Sequence, residues 1–226
     1  MLLSKGQYLI CICAIILLSS CTASNVKHNF NFDNKDSTGL IIGSITQDIK
    51  PGSNSANTFF YIYPENEGMT YEMLRLRENK YSLITGFYKQ SEFSDLNGRI
   101  FAIELPVGKH NLKSWQVDNG TGAYLSPKKT PPPLYFTVKP GEILYLGNIH
   151  MHLLTGENIF GINITGGAMP VIKNEYNRDI ILFRKRYAKL RNHNITLGVL
   201  NIGPWHSEDS IENSKTITVQ PPVFIK

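Results

Sequence analysis

RIFAIELPVGKHNLKSWQV at residues 99–117 and LYFTVKPGEILYLGNIH at residues 134–150 decide the fold. In Arg99–Leu105, Ile100, Ala102 and Glu104 alternate with Phe101, Ile103 and Leu105. That period of two puts successive side chains on opposite faces of a strand. Pro106-Val107-Gly108-Lys109 is turn chemistry leading into a second strand over 111–117. Leu112 and Val117 would lie on opposite faces of a regular strand, so a bulge near Trp115 is expected. Leu134–Val138 is a third strand, Lys139-Pro140-Gly141-Glu142 a tight turn, and 143–152 a fourth strand.

Working outward, GLIIGSIT (39–46), TFFYIY (58–63), YEMLRL (71–76) and residues 81–88 read as earlier strands. SEFSDLNG (91–98) reads as a loop ending in the hairpin-type turn Asn97-Gly98, and 118–133 as a long polar loop with Gly120, Gly122 and Pro131-Pro132-Pro133. IFGINIT (159–165), ITLGVLNI (195–202) and KTITV (215–219) follow as later strands. Short strands at this spacing predict a mainly β chain, an antiparallel β-sandwich. One helix interrupts the pattern. Tyr176, Ile180, Phe183, Tyr187 and Leu190 recur at helical spacing, which predicts an amphipathic α-helix near residues 174–191, with Asn174 as its cap. Residues 38–226 are read as a single domain.

The phrases LPVGKHNLKSW and LYFTVKPGEILYLGNI resemble the carboxypeptidase-regulatory-like, or prealbumin-like, β-sandwich domains that recur in bacterial lipoproteins of unknown function. The resemblance covers roughly residues 38–165 and rests on turn and core residues. It implies a sandwich and brings no catalytic residue with it.

Residues 1–20 have the layout of a secretory signal: Lys5, then an apolar run from Tyr8 to Leu18. That run is too short for the roughly 20 apolar residues a membrane-spanning helix needs. Leu18-Ser19-Ser20-Cys21 resembles the lipobox of bacterial lipoproteins, in which the cysteine thiol receives a diacylglycerol. The resemblance implies cleavage before Cys21, lipidation (with palmitate among the acyl chains) and attachment to the cell envelope. An aspartate after the cysteine would resemble the inner-membrane retention signal of enteric bacteria; with Thr22 there instead, a Gram-negative host implies the outer membrane, facing either the periplasm or the exterior. TASNVKHNFNFDNKDS (22–37) is polar, so 21–37 is expected to be a flexible tether. Cys11 and Cys13 leave with the signal and Cys21 is capped, so no disulfide is available to the mature chain.

The formal net charge is +5, and residues 173–191 hold seven basic side chains against Glu175 and Asp179. The basicity therefore belongs to one segment, which argues against a nucleic-acid footprint. Arg178, Lys185 and Lys189 fall opposite the apolar stripe and are candidates for contact with an envelope protein or anionic lipid. Trp115 and Tyr124, and separately Trp205, are candidates for stacking on a glycan or peptide. His150-x-His152 places two imidazoles on one side of a strand, with His110, His193 or His206 as a third ligand, but no carboxylate or cysteine cluster lies near them in sequence. No metal or other cofactor is expected. Asn119, Asn163 and Asn194 match the glycosylation sequon, which a bacterial host makes coincidental.

No nucleophile elbow, Walker loop or H-E-x-x-H is present. The reading is a non-enzymatic, lipid-anchored envelope lipoprotein that binds or scaffolds. The alternatives are an accessory subunit of an envelope secretion or transport machine, and a metal-assisted hydrolase using His150 and His152.

Overall fold

A computed structural model describes residues 25–31, 37–49, 57–64, 74–77, 91–118, 124–157, 159–161 and 163–206. Eleven strands and one helix are found there: β1 Thr38–Gln47, β2 Asn57–Pro64, β3 Leu74–Arg77, β4 Asn97–Pro106, β5 Gly108–Asp118, β6 Tyr124–Leu125, β7 Leu134–Val138, β8 Ile143–Glu157, β9 Asn163–Lys173, α1 Tyr176–Arg186, β10 Ile195–Leu197 and β11 Gly203–Pro204. The chain is mainly β and sandwich-like. Cys21 and the expected strands at 81–88 and 215–219 lie outside the described residues.

The first sheet runs β4-β1-β8-β9-β11, and β10 also pairs with β8. The second runs β3-β2-β5, where β6 and β7 share the far edge of β5. Most pairings are antiparallel as expected, but β8 runs parallel to both β1 and β10. The sequence period reports side-chain faces and carries no information about strand direction, so these two pairings were not legible.

Between the sheets lies a core of Ile41, Ile45, Phe60, Ile62, Phe101, Leu112, Trp115, Val117, Leu146, Ile149 and their neighbours. A second core lies on the outer face of the first sheet, where Leu40, Ile42, Ile100, Ala102, Ile143 and Tyr145 meet Ile180, Phe183, Tyr187 and Leu190. The molecule is therefore three layers deep: helix, first sheet, second sheet. The sheet in the middle is covered on both faces, which is why β1 is buried along nearly its whole length.

The helical stripe behaves as its spacing predicts. Ile180, Phe183, Tyr187 and Leu190 are all buried, each such side chain contributing roughly 1.5–3 kcal/mol. The α-helix itself stops at Arg186, and a short 3₁₀ turn, Ala188–Leu190, carries Leu190 inward. Leu182, on the cationic side of the helix by spacing, is partly buried against the same core.

Two bulges reset the strand faces. In the β2–β5 ladder Tyr61 pairs with Ser114 and Ile62 with Leu112, so Lys113 is the extra residue. It lets Leu112, Trp115 and Val117 all face the inner core, which answers the parity conflict seen in the sequence. In β8, Ile42 of β1 pairs with Tyr145 and Ser44 with Asn148, so one residue is inserted near Gly147. Before this point Leu144 and Leu146 face the second sheet; after it, Ile149, Met151 and Leu153 do. Gly147 has φ +105, and a Cβ there would meet the Lys173 carbonyl oxygen at 3.0 Å and Val199 Cγ1 at 3.1 Å. At the same place β8 exchanges one edge partner for another, β10 on 143–145 and β9 on 148–157.

Three local expectations change. Asn97-Gly98 opens β4 and pairs with Gln47 and Thr46 of β1 instead of forming a hairpin turn. Residues 159–161 are turn and bend, and the strand expected at 159–165 is β9, running on through Pro170 with Gly166 as its extra residue. Pairing with β8 overrides the breaker character of GGAMP (166–170). The expected tether is docked over part of its length: Val26 N donates to Ala102 O (2.9 Å), Ala102 N donates to Asn25 Oδ1 (2.8 Å), and Val26 and Phe30 pack on the outer core.

Gly147→Ala should destabilise the fold by about 1–3 kcal/mol, because it forces a side chain into positive φ against backbone. Gly156→Ala, with nothing within 4 Å of its Cβ, should stay within about 0.5 kcal/mol of the parent. Urea unfolding midpoints of the two variants check the contrast.

Candidate functional site

Leu40 and Ile42 of β1 and Tyr145 of β8 lie under the helix, and the same sheet face then turns polar. Ser44 and Thr46 continue the outward parity of β1, and the Gly147 bulge brings Asn148, His150 and His152 to that face beside them. Ser44, Thr46, Asn148 and His150 are at most 1% exposed, so each must find its partners inside the protein.

They do so as one chain. Asp179, on the first turn of α1 and 2% exposed, accepts from Ser44 Oγ at 2.6 Å and from Tyr145 Oη at 2.9 Å. Arg178 pairs with Asp179 at 2.8 Å, donates to Ser44 Oγ at 3.1 Å and lies over the Phe93 ring. Asn148 Nδ2 donates to Ser44 Oγ (2.8 Å) and Thr46 Oγ1 (3.0 Å). Thr46 Oγ1 meets His150 Nδ1 at 2.8 Å. His150 Nε2 lies 3.1 Å from Asp48 Oδ1, and His152 Nδ1 lies 3.3 Å from Asp48 Oδ2. The Leu153 amide donates to the same carboxylate at 3.1 Å.

The two ends differ in chemistry. At the helix end, burial pushes the Asp179 carboxyl above its usual range, against the opposing pull of Ser44, Arg178 and Tyr145, and the Tyr145 hydroxyl is likewise pushed up, by burial first and then by Asp179. At the far end, burial and then the charges of Lys173 and His152 lower His150 to about 4, with Asp48 opposing. His150 is therefore a neutral imidazole at pH 7. In the absence of a bound ion its neighbours accommodate the Nε2–H tautomer: Asn148 donates to Thr46, Thr46 donates to Nδ1, and Nε2–H donates to Asp48.

Asp48, His150 and His152 offer three ligand atoms within 4.8 Å of one another, and are the one such group of three among the described residues. His150-x-His152 was legible in the sequence; the carboxylate it lacked was not. Asp48 sits just beyond β1, about a hundred positions away, and the parallel β1–β8 register, Thr46 to His150 and Gln47 to Met151, brings it alongside. The available signal was the polar alternation Ser44-x-Thr46-x-Asp48 following Leu40-x-Ile42. His110 is no third ligand: it is buried in the second sheet, bonded to the Pro106 carbonyl and stacked on Phe136.

The other candidates separate. Trp115 and Trp205 are 7% and 2% exposed and belong to the core between the sheets. Trp205 also donates to the Pro132 carbonyl at 2.7 Å. Neither presents a ring face to a ligand, which corrects that expectation; large aromatic area is worth most inside. Tyr124 is exposed. Arg178 pairs with Asp179 while its side chain stays 31% exposed, and Lys185 and Lys189 are exposed. No helix among the described residues is long and apolar enough to cross a membrane. No protein-family model, curated protein or solved structure matches the chain.

A carboxyl with a raised folded pKa holds its proton more tightly folded than unfolded. Its contribution is thus fullest below the ordinary carboxylate range and is lost as pH rises through the folded value. The stability of the parent minus that of Asp179→Asn should accordingly fall as pH rises above about 4. Paired urea titrations across that range read the difference with other titrating groups cancelled, and a flat or rising difference contradicts it.

Proposed function

We propose that the protein is a non-enzymatic lipoprotein of the bacterial cell envelope, anchored through acylated Cys21 and acting as a binding or scaffolding module. The observation that carries this reading is the docking of Asn25 and Val26 onto β4. Four residues beyond Cys21 the chain is already bonded to the sheet, and four residues reach at most about 14 Å. A three-layer body on so short a lead stands against the bilayer as a platform. The exposed Lys185 and Lys189 supply cations for an anionic lipid headgroup or an acidic envelope protein, each worth roughly 1 kcal/mol near an anionic surface. The resemblance of residues 38–165 to prealbumin-like domains of bacterial lipoproteins supports the same reading.

A non-catalytic role is supported by the burial of the hydroxyl that the imidazole touches. Thr46–His150–Asp48 has the order of a hydroxyl, a base and a carboxylate, yet Thr46 is 0% exposed and can meet no substrate. The accessory-subunit reading differs only in its partner, another envelope protein docking on the helix. Cys21→Ser should move the protein from the envelope pellet to the soluble fraction, and an inhibitor of lipoprotein signal peptidase should cause the precursor of the parent to accumulate. A Cys21→Ser chain that sediments like the parent overturns the reading.

A further inference from the structure

We propose that Asp48, His150 and His152 form a binding site for one divalent transition-metal ion of the zinc class. Three features of the geometry carry it. The first is the donor set: two imidazole nitrogens and one carboxylate suit zinc and its first-row neighbours, whereas calcium and magnesium take oxygen. The second is spacing. Ligands about 2.0–2.1 Å from a metal stand about 3.3–3.4 Å apart in tetrahedral geometry, and about 2.8–3.0 Å apart when adjacent in an octahedron. His150 Nε2 stands 3.1 Å from Asp48 Oδ1 and His152 Nδ1 stands 3.3 Å from Asp48 Oδ2, so the carboxylate would meet the ion through both oxygens or turn to offer one. The widest separation in the group, within 4.8 Å, closes by a turn of His152, whose side chain is 35% exposed.

The third feature is the support behind His150. Metal at Nε2 requires the proton on Nδ1, and Thr46 is placed for that tautomer as well. Its Oγ1 accepts from Nδ1–H at 2.8 Å and donates onward to Asn148 Oδ1 at 3.3 Å, while Asn148 Nδ2 remains on Ser44. The proton shifts within the imidazole, the hydroxyl and amide reverse roles, and no buried group is stranded. Such a hydrogen bond to the far nitrogen is what orients a ligating histidine. The Leu153 amide holds the carboxylate in the same way. Lys173, opposite Asn148 in the β8–β9 register, is a nearby cation that the Asp48 carboxylate offsets. With three protein ligands, at least one coordination position remains for water or an external donor, on the side where His152 and Asp48 reach solvent.

The site is independent of the lipid anchor. The test uses the full chain, purified in detergent without a histidine tag, stripped with chelator and titrated with Zn²⁺ by calorimetry and with Co²⁺ by visible absorption. One Zn²⁺ per chain is expected, with Co²⁺ d–d bands that Zn²⁺ displaces. His152→Ala and Asp48→Asn should each weaken binding by at least about a hundredfold, and Thr46→Val by about 10–100-fold, with thermal melts of the metal-free chains reporting that the fold survives. His152→Gln serves where His152→Ala does not fold. Cys21→Ser should bind as the parent does. Failure to bind one equivalent, or binding unchanged in the Asp48→Asn/His152→Ala double variant, overturns the proposal and leaves the anchoring role untouched.

Discussion

The inserted residue near Gly147 governs what the outer face of the first sheet can be. A strand alternates with period two, so one extra residue exchanges every side chain beyond it between the two faces. Without the insertion Asn148, His150 and His152 would point between the sheets, into a space filled by Ile41, Ile45, Phe60 and Leu112, and Ile149, Met151 and Leu153 would point outward. The insertion keeps Leu144 and Leu146 in the same core as Ile149 and Met151. Positive φ at Gly147 and the tight surroundings of its Cα are what that exchange requires. The arrangement also lets β10 and β9 share one edge of β8.

The outer face is then divided between two kinds of interior. Under the helix it is apolar, and burial of Ile180, Phe183, Tyr187 and Leu190 is the driving term. Past the first helical turn it is polar, and each group there costs roughly 1–3 kcal/mol if left unpaired. Asp179 is the joint between the two. Its carboxylate receives a hydroxyl from each of two strands and a guanidinium from its own helix. The net worth of such a buried ion pair is small, since desolvation offsets most of the attraction. Its consequence is positional: Ser44 and Tyr145 are oriented by Asp179, and through Ser44 and Asn148 the orientation reaches Thr46 and His150.

The same sheet carries both proposed features, one at its edge and one in its interior. Strand β4, at one edge, receives Asn25 and Val26, the residues just beyond the proposed acylation point. Strands β1 and β8, side by side in the interior, present Asp48, His150 and His152. The docked N-terminal segment and the polar cluster on the next two strands are thus parts of one sheet, and Lys185 and Lys189 remain exposed on the helix that covers it.

The amino-acid order by itself determined the strand periodicity of 99–105 and 134–138, the turn at Lys139–Glu142, the helical stripe from Tyr176 to Leu190 and the paired histidines, because each is a local pattern read within a few residues. The conflict between Leu112 and Val117 also announced a bulge before its position at Lys113 was known. Only the tertiary structure decided the parallel β1–β8 register, the face taken by His150, the arrival of Asp48 beside it, the Arg178–Asp179 contact with Ser44 and the burial of both tryptophans. These depend on contacts between residues far apart in the chain, whose energies outweigh local propensity by several kcal/mol. No short window of sequence carries that information.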